Sequence, residues 1–189
     1  SFFAGGAPDP TAGRKEFVYG GDTVRIPPPF APQVLGRAHR IEAAIRRSDA
    51  GNAGVIVAFG GSEGGYSLYV QDNRLVYELN VSGVVREKLV STMSLPVGAS
   101  KVAFEFQPDA SAPRHPMMKY FVCPGVGRLF IDGKTAGELR FERFGGFGHP
   151  TIHTETLDVS RDVGSPAGAG YRAPYSFAGK VDEVRFTVQ

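Results

Sequence analysis

The sequence has no tryptophan, one cysteine and four histidines, and none of its apolar runs approaches the ~20 residues a membrane-spanning helix needs. Each shortage closes a route. The lone Cys123 excludes an internal disulfide and, with so few histidines, a cysteine-rich zinc site. A formal net charge of +2, with basic residues scattered along the chain, supplies no strong field for nucleic acid. The chain opens at Ser1 without a charged, then apolar, then small-residue leader, as expected of a processed form or an excised fragment. It reads as a soluble protein whose compartment these features leave open.

What is abundant points to strands and turns. Among the 189 residues, 25 glycines and 14 prolines punctuate the chain, while 42% hydrophobic residues and 14 phenylalanines supply a core. Residues 53–80, AGVIVAFGGSEGGYSLYVQDNRLVYELN, read as three successive strands. A two-residue turn at Asp72-Asn73 sets Gln71 opposite Arg74, Val70 opposite Leu75, Leu68 opposite Tyr77 and Tyr66 opposite Leu79. Apolar residues then meet on one face, and Tyr69 lies beside Val76 on the other. Further strands are predicted at residues 38–47, 84–91, 101–107, 127–131, 134–141, 155–159 and 177–188. A short one is placed at 119–122, an Asp132-Gly133 hairpin turn after Ile131, and a bulge near Glu183.

Residues 1–36 form a Pro/Gly-rich arm or linker in this reading, with a strand-like pattern at 23–26 and with Phe17 and Tyr19 as anchors. Residues 37–189 form one domain. Ten or more strands and no convincing helix predict an all-β, concanavalin A-like jelly-roll sandwich of two antiparallel sheets.

The ordered series of residues 53–80, LPVGASKVAFEF, GRLFIDGKTAGE, LDVSRDVGSP and YSFAGKVDEVRF resembles the C-terminal domain of long bacterial arylsulfatases, over roughly residues 37–188. The Gly-Gly-Tyr-Ser-Leu-Tyr-Val block and the Asp-x-Gly-Ser-Pro block at 162–166 carry the resemblance. It implies a concanavalin A-like or laminin G-like sandwich that follows a sulfatase catalytic domain, its partner in cis or in trans. Residues 113–126 depart from that pattern as an insertion-like segment.

Chemistry is sparse. Cys123-Pro124-Gly125-Val126-Gly127-Arg128 places its proline and arginine wrongly for a formylglycine motif, so Cys123 reads as a buried group at a strand end. Glycosidase chemistry needs two carboxylates about 5–5.5 Å apart for retention, but Glu155 and Asp158 fall on opposite strand faces and Asp182 and Glu183 diverge. These acids read as exposed and solubilising. His149 and His153 have metal-ligand spacing only on a helix, which Pro150 and the nearby glycines oppose.

The best remaining loop spans residues 158–175. Asp158 and Asp162 could furnish oxygen ligands to calcium; alternatively Asp162 caps a turn and Asp158 sits on a wet strand face. Tyr69, Phe144, Phe147, Tyr171 and Tyr175 are candidates for sugar stacking or for a domain interface, the latter favoured by the resemblance. The expectation is a non-catalytic accessory domain of an arylsulfatase-like hydrolase, which packs against the catalytic domain or mediates assembly. The alternative is a lectin-like carbohydrate-binding module with a glycan as partner; in neither does this chain act as an enzyme alone.

Overall fold

A computed structural model describes residues 10–110, 123–143 and 155–189. Among the described residues eleven strands follow one another, with a one-turn 3-10 helix at Pro28–Phe30: β1 (Glu16–Gly20), β2 (His39–Arg47), β3 (Gly54–Gly61), β4 (Gly64–Gln71), β5 (Arg74–Val81), β6 (Val85–Val90), β7 (Gly98–Pro108), β8 (Gly125–Ile131), β9 (Lys134–Phe141), β10 (Leu157–Val159) and β11 (Lys180–Val188). They build two sheets. Sheet A has six strands in the order β1-β11-β2-β7-β8-β9, and sheet B has five in the order β10-β3-β4-β5-β6. All neighbours within them are antiparallel. The fold is the all-β concanavalin A-like jelly-roll sandwich.

Turn chemistry sets the register. Asp72 and Asn73 both adopt positive φ (50° and 59°), and so do Asp132 and Gly133 (48° and 77°), which is the conformation of a type I′ hairpin. Gln71 therefore faces Arg74, Leu68 faces Tyr77 and Tyr66 faces Leu79, as the alternation predicts. The second turn sets Ile131 opposite Lys134. A bulge between Val181 and Glu183 lets β11 keep Val184, Phe186 and Val188 inward.

Between the sheets, the Tyr77 ring of β5 stacks on Phe104 of β7 at 3.5 Å between centroids, and Phe141 meets both edge-on. Cys123 is buried just before β8. The N-terminal arm is woven into both sheets along its described length. Its strand is β1, which pairs with β11, rather than residues 23–26. Beyond it, Ile26 bridges Leu157 and the Thr23 carbonyl accepts from Val159. Phe17 is buried and Tyr19 packs edge-on to Phe186, so the two aromatic anchors hold.

One buried cation secures the end of the sandwich where β2 stops. Arg47 is 2% exposed, yet no carboxylate bonds its guanidinium. Its N–H groups donate to the carbonyls of Asn52 (3.1 Å), Leu95 (2.9 Å) and Ala50 (2.5 Å) and to Asn73 Oδ1 (2.7 Å). Two connections, β2–β3 and β6–β7, and the Asp72-Asn73 turn are thus tied to one side chain. Replacing it by leucine strands acceptors whose partners were charged donors, so Arg47→Leu should cost about 2–4 kcal/mol in chemical denaturation. A loss below about 0.5 kcal/mol would show that water substitutes freely.

Candidate functional site

The outward faces of the two sheets differ in kind. On sheet A, rows of opposite charge run across the strands: Thr187 faces Arg40, Arg40 faces Glu105, Glu105 faces Arg128, and Arg128 faces Glu138. Ion pairs link Arg40 to Glu42 (3.0 Å) and Glu105 (3.2 Å), and Arg128 to Glu138 (2.7 Å). These are solvent-exposed pairs, each worth about 0–1 kcal/mol, so the lattice orders side chains more than it stabilises the fold.

Sheet B is roofed instead. Residues 160–176 cross its outer face, and the side chains beneath them are buried: Ala58, Ser67, Tyr69, Val76 and Glu78 are each at most 2% exposed. Val55, Ala58, Tyr69, Val76 and Tyr171 make a second, smaller apolar cluster, with Tyr175 packed against it. The Tyr171 ring lies 5.0 Å from both Tyr69 (edge-on) and Tyr175 (stacked). Small residues allow this close approach. A side chain on Gly168 would meet the Tyr171 ring at 2.6 Å, and one on Gly170 would meet Tyr69 Oη at 2.5 Å.

Buried carboxylates fasten the roof. Glu78 Oε2 accepts from Tyr69 Oη (2.9 Å), and its Oε1 accepts the Ala169 amide (2.6 Å). Arg86 sits 3.8 Å from the same Oε1 and donates to the Ala167 carbonyl (2.7 Å). Asp162 Oδ2 accepts from Tyr171 Oη (2.6 Å) and the Ala167 amide (2.8 Å), and Tyr171 Oη reaches Ser67 at 2.9 Å. Asp158 Oδ1 accepts the Arg25 amide (2.6 Å), while its Oδ2 accepts from Thr156 (3.0 Å) and Val163 (3.3 Å). Glu155 holds Ser165 through both its hydroxyl (2.6 Å) and its amide (3.0 Å).

The structure therefore brings Asp158, Asp162, Tyr69, Tyr171 and Tyr175 to one place, but as a packed layer. Tyr69 is fully buried, which corrects its reading as an exposed platform for a sugar. Asp158 is also fully buried, so neither it nor its strand face is wet. Asp162 is buried too, and its Oδ2 bonds the Ala167 amide and Tyr171 hydroxyl within its own loop, a wider bridge than an Asx cap of one turn. Among the described residues, no group of three or more His, Cys, Asp or Glu side chains is placed to hold a metal ion. Tyr175 alone keeps a partly accessible ring, with its hydroxyl 3.2 Å from the Val70 carbonyl. Phe144, Phe147, His149, His153 and the strand expected at 119–122 lie outside the described residues.

What sequence reasoning missed is a cleft of about 210 Å³ on the open face of sheet A. Arg40, Glu105, Gln107 and Thr187 line it, with Ala38 and Gln189 at its end. The guanidinium of Arg40 is held between two carboxylates and lies 4.9 Å from the centre of the Phe130 ring. Donors and acceptors in fixed positions, around a space smaller than the about 300–1,000 Å³ of drug-sized pockets, suit small polar groups such as hydroxyls. The signal in the sequence was the alternation of β2, which shows Arg40 as outward but cannot show what faces it across β7 and β11.

The class defined by this architecture is the concanavalin A-like β-sandwich, and comparison with known proteins agrees on the fold. No protein-family profile and no curated protein matches the chain. Among solved structures, it is similar to the CBM40 of the Ruminococcus gnavus IT-sialidase bound to α2,3-sialyllactose (TM-score 0.58, 14% identity, 92% of this chain and 89% of that one). It is also similar to a Bacteroides ovatus protein described as carbohydrate binding (TM-score 0.55, 17% identity, 91% and 43%). A third is the leech intramolecular trans-sialidase complexed with 2,7-anhydro-Neu5Ac (TM-score 0.52, 13% identity, 92% and 25%).

Asp162 gives the roof a pH signature. Burial pushes its carboxyl up to about 6, against the hydrogen bonds from Tyr171 and Ala167 and with the charges of Asp158 and Glu155 adding to the rise. The folded state thus holds this proton more tightly than the unfolded one. Ionised Asp162 lowers stability above pH ~6, and the penalty is relieved as pH falls toward ~4. Two pKa units correspond to roughly 3 kcal/mol. His39, which burial lowers to about 4, acts in the opposite sense but is common to wild type and variant. Relative to Asp162→Asn, wild type should therefore gain on the order of 2–3 kcal/mol between about pH 7.5 and about pH 4.5 in urea unfolding. Parallel pH profiles for the two proteins would remove Asp162 as the titrating group.

Proposed function

We propose that the chain is a non-catalytic carbohydrate-binding module that engages a glycan at the Arg40 cleft on the open face of sheet A. The observation that carries this reading is the contrast between the faces: sheet B is closed by its roof, while sheet A presents a fixed set of guanidinium, carboxylate, amide and hydroxyl groups around a small cleft. Orienting Arg40 in advance lowers the ordering cost of binding. Likeness in fold to carbohydrate-binding modules, one of them bound to sialyllactose, supports a glycan as the partner.

The narrower expectation, an accessory domain beside an arylsulfatase catalytic domain, rests on the order of sequence motifs and is compatible with a glycan-binding role that delivers substrate. Calcium is not needed for it, because the Asp158 and Asp162 carboxylates serve as hydrogen-bond acceptors in the roof. The chain would bind without hydrolysing.

A glycan array with neutral, sialylated and sulfated members, followed by calorimetry on the best ligand, tests the reading. Arg40→Ala should weaken binding roughly tenfold or more, since a charged hydrogen bond contributes about 1.5–3 kcal/mol, with thermal stability little changed. EDTA should have no effect. Absence of binding to every glycan, or equal affinity in Arg40→Ala, contradicts it.

A further inference from the structure

A second cleft lies at the opposite end of the sandwich, with a volume of about 400 Å³. Arg46 and Ser48 enter from the end of β2, Gly98 and Ala99 from the start of β7, and Gly179 and Lys180 from the lead into β11. Strand pairing places them side by side, since Lys180 faces Arg46 and Arg46 faces Ala99. The Arg40 cleft belongs to the other end of β2, so the two sites share no lining residue.

Charge here is unbalanced. Arg46 holds Asp182 through two hydrogen bonds (3.0 and 2.8 Å), and Lys180 reaches the same carboxylate at 3.6 Å. One acid thus serves two cations. Beneath them, Arg47 gives its donors to neutral oxygens and adds a third positive charge, with Asp49 the acid that acts on it electrostatically. The Arg46 and Lys180 side chains remain 58% and 69% exposed, within reach of a ligand from solvent.

At Gly179 the chain packs closely on β2, since an added Cβ would lie 2.4 Å from the Arg46 carbonyl and 2.7 Å from the Phe177 ring. Gly98 adopts φ +99°, and the space its Cβ would occupy is open. The exposed backbone of Gly98 and Ala99 thus lies beside two exposed cations, an arrangement that suits an oxyanion.

We propose that this cleft binds the anionic group, carboxylate or sulfate ester, of an acidic saccharide. The inference rests on the glycan-binding reading for the nature of the ligand but on separate residues for its site. A glycan long enough to leave the Arg40 cleft is not required, because the second cleft captures its own acidic sugar.

The test is amide NMR titration of the full chain with glucuronic acid, galactose 6-sulfate and neutral galactose in parallel. The acidic sugars should shift the Gly98, Ala99 and Gly179 amides while galactose leaves them in place, and a response to only one of them identifies the group bound. Lys180→Gln should weaken that binding roughly tenfold, and added salt should weaken it further. Ala99→Glu, which puts a carboxylate on the exposed floor, should abolish it. Shifts confined to the Arg40 cleft would overturn this proposal and leave the glycan-binding reading standing. Silence at both clefts with all three sugars would count against each. Equal affinity in Lys180→Gln and Ala99→Glu would also overturn the anion site.

Discussion

Two carboxylates placed where water does not reach govern the architecture of this chain's outer face. Glu78 and Asp162 are buried to within 2% of completely, and a buried acid without partners costs several kcal/mol. Glu78, on β5, takes the Ala169 amide of the loop above and the strand's own Tyr69, while Asp162, inside that loop, takes the Ala167 amide and Tyr171. The loop cannot lift without taking the Ala169 amide from Glu78 and Tyr171 from Ser67. Sheet B thereby loses its outward surface, and the tyrosines become part of a second core.

That arrangement divides labour between the sheets. A β-sandwich needs one buried face per sheet, and the two outer faces are free to differ. Here one is closed with small residues and hydrogen bonds, and the other stays open under a lattice of paired charges. The open sheet keeps two clefts accessible, with Arg40 and the Arg46–Lys180 pair at opposite ends of β2.

The fold was legible in the sequence where alternation and turn chemistry agreed. Asp72-Asn73 and Asp132-Gly133 set two hairpins to the residue, and the period of two identified Tyr66, Leu68 and Tyr77 as core. Strand ends were less readable. Residues 23–26 looked extended but make a single bridge, whereas Glu16–Gly20 gain a ladder only through their distant partner β11. The site was harder still. Alternation assigns Tyr69 to an outer face correctly, but outer does not mean wet when a loop about 100 residues away in the chain lies across it. Nothing local announces that cover. Its traces were the run Ala167-Gly168-Ala169-Gly170, too small to hold sheet or solvent apart, and the unpaired appearance of Glu78 in an apolar strand. Arg47 is a similar case, its role being set by four oxygens from four separate positions.

The central claim is that the roof over sheet B is as firmly bonded as the sheet itself. Amide hydrogen exchange at Ala169 tests it most directly, because its N–H group ends on Glu78 of β5. Protection comparable with that of β4 and β5 amides is the predicted result. Exchange at the rate of an open surface loop would contradict it, and would return Tyr69 and Tyr171 to the solvent-facing surface.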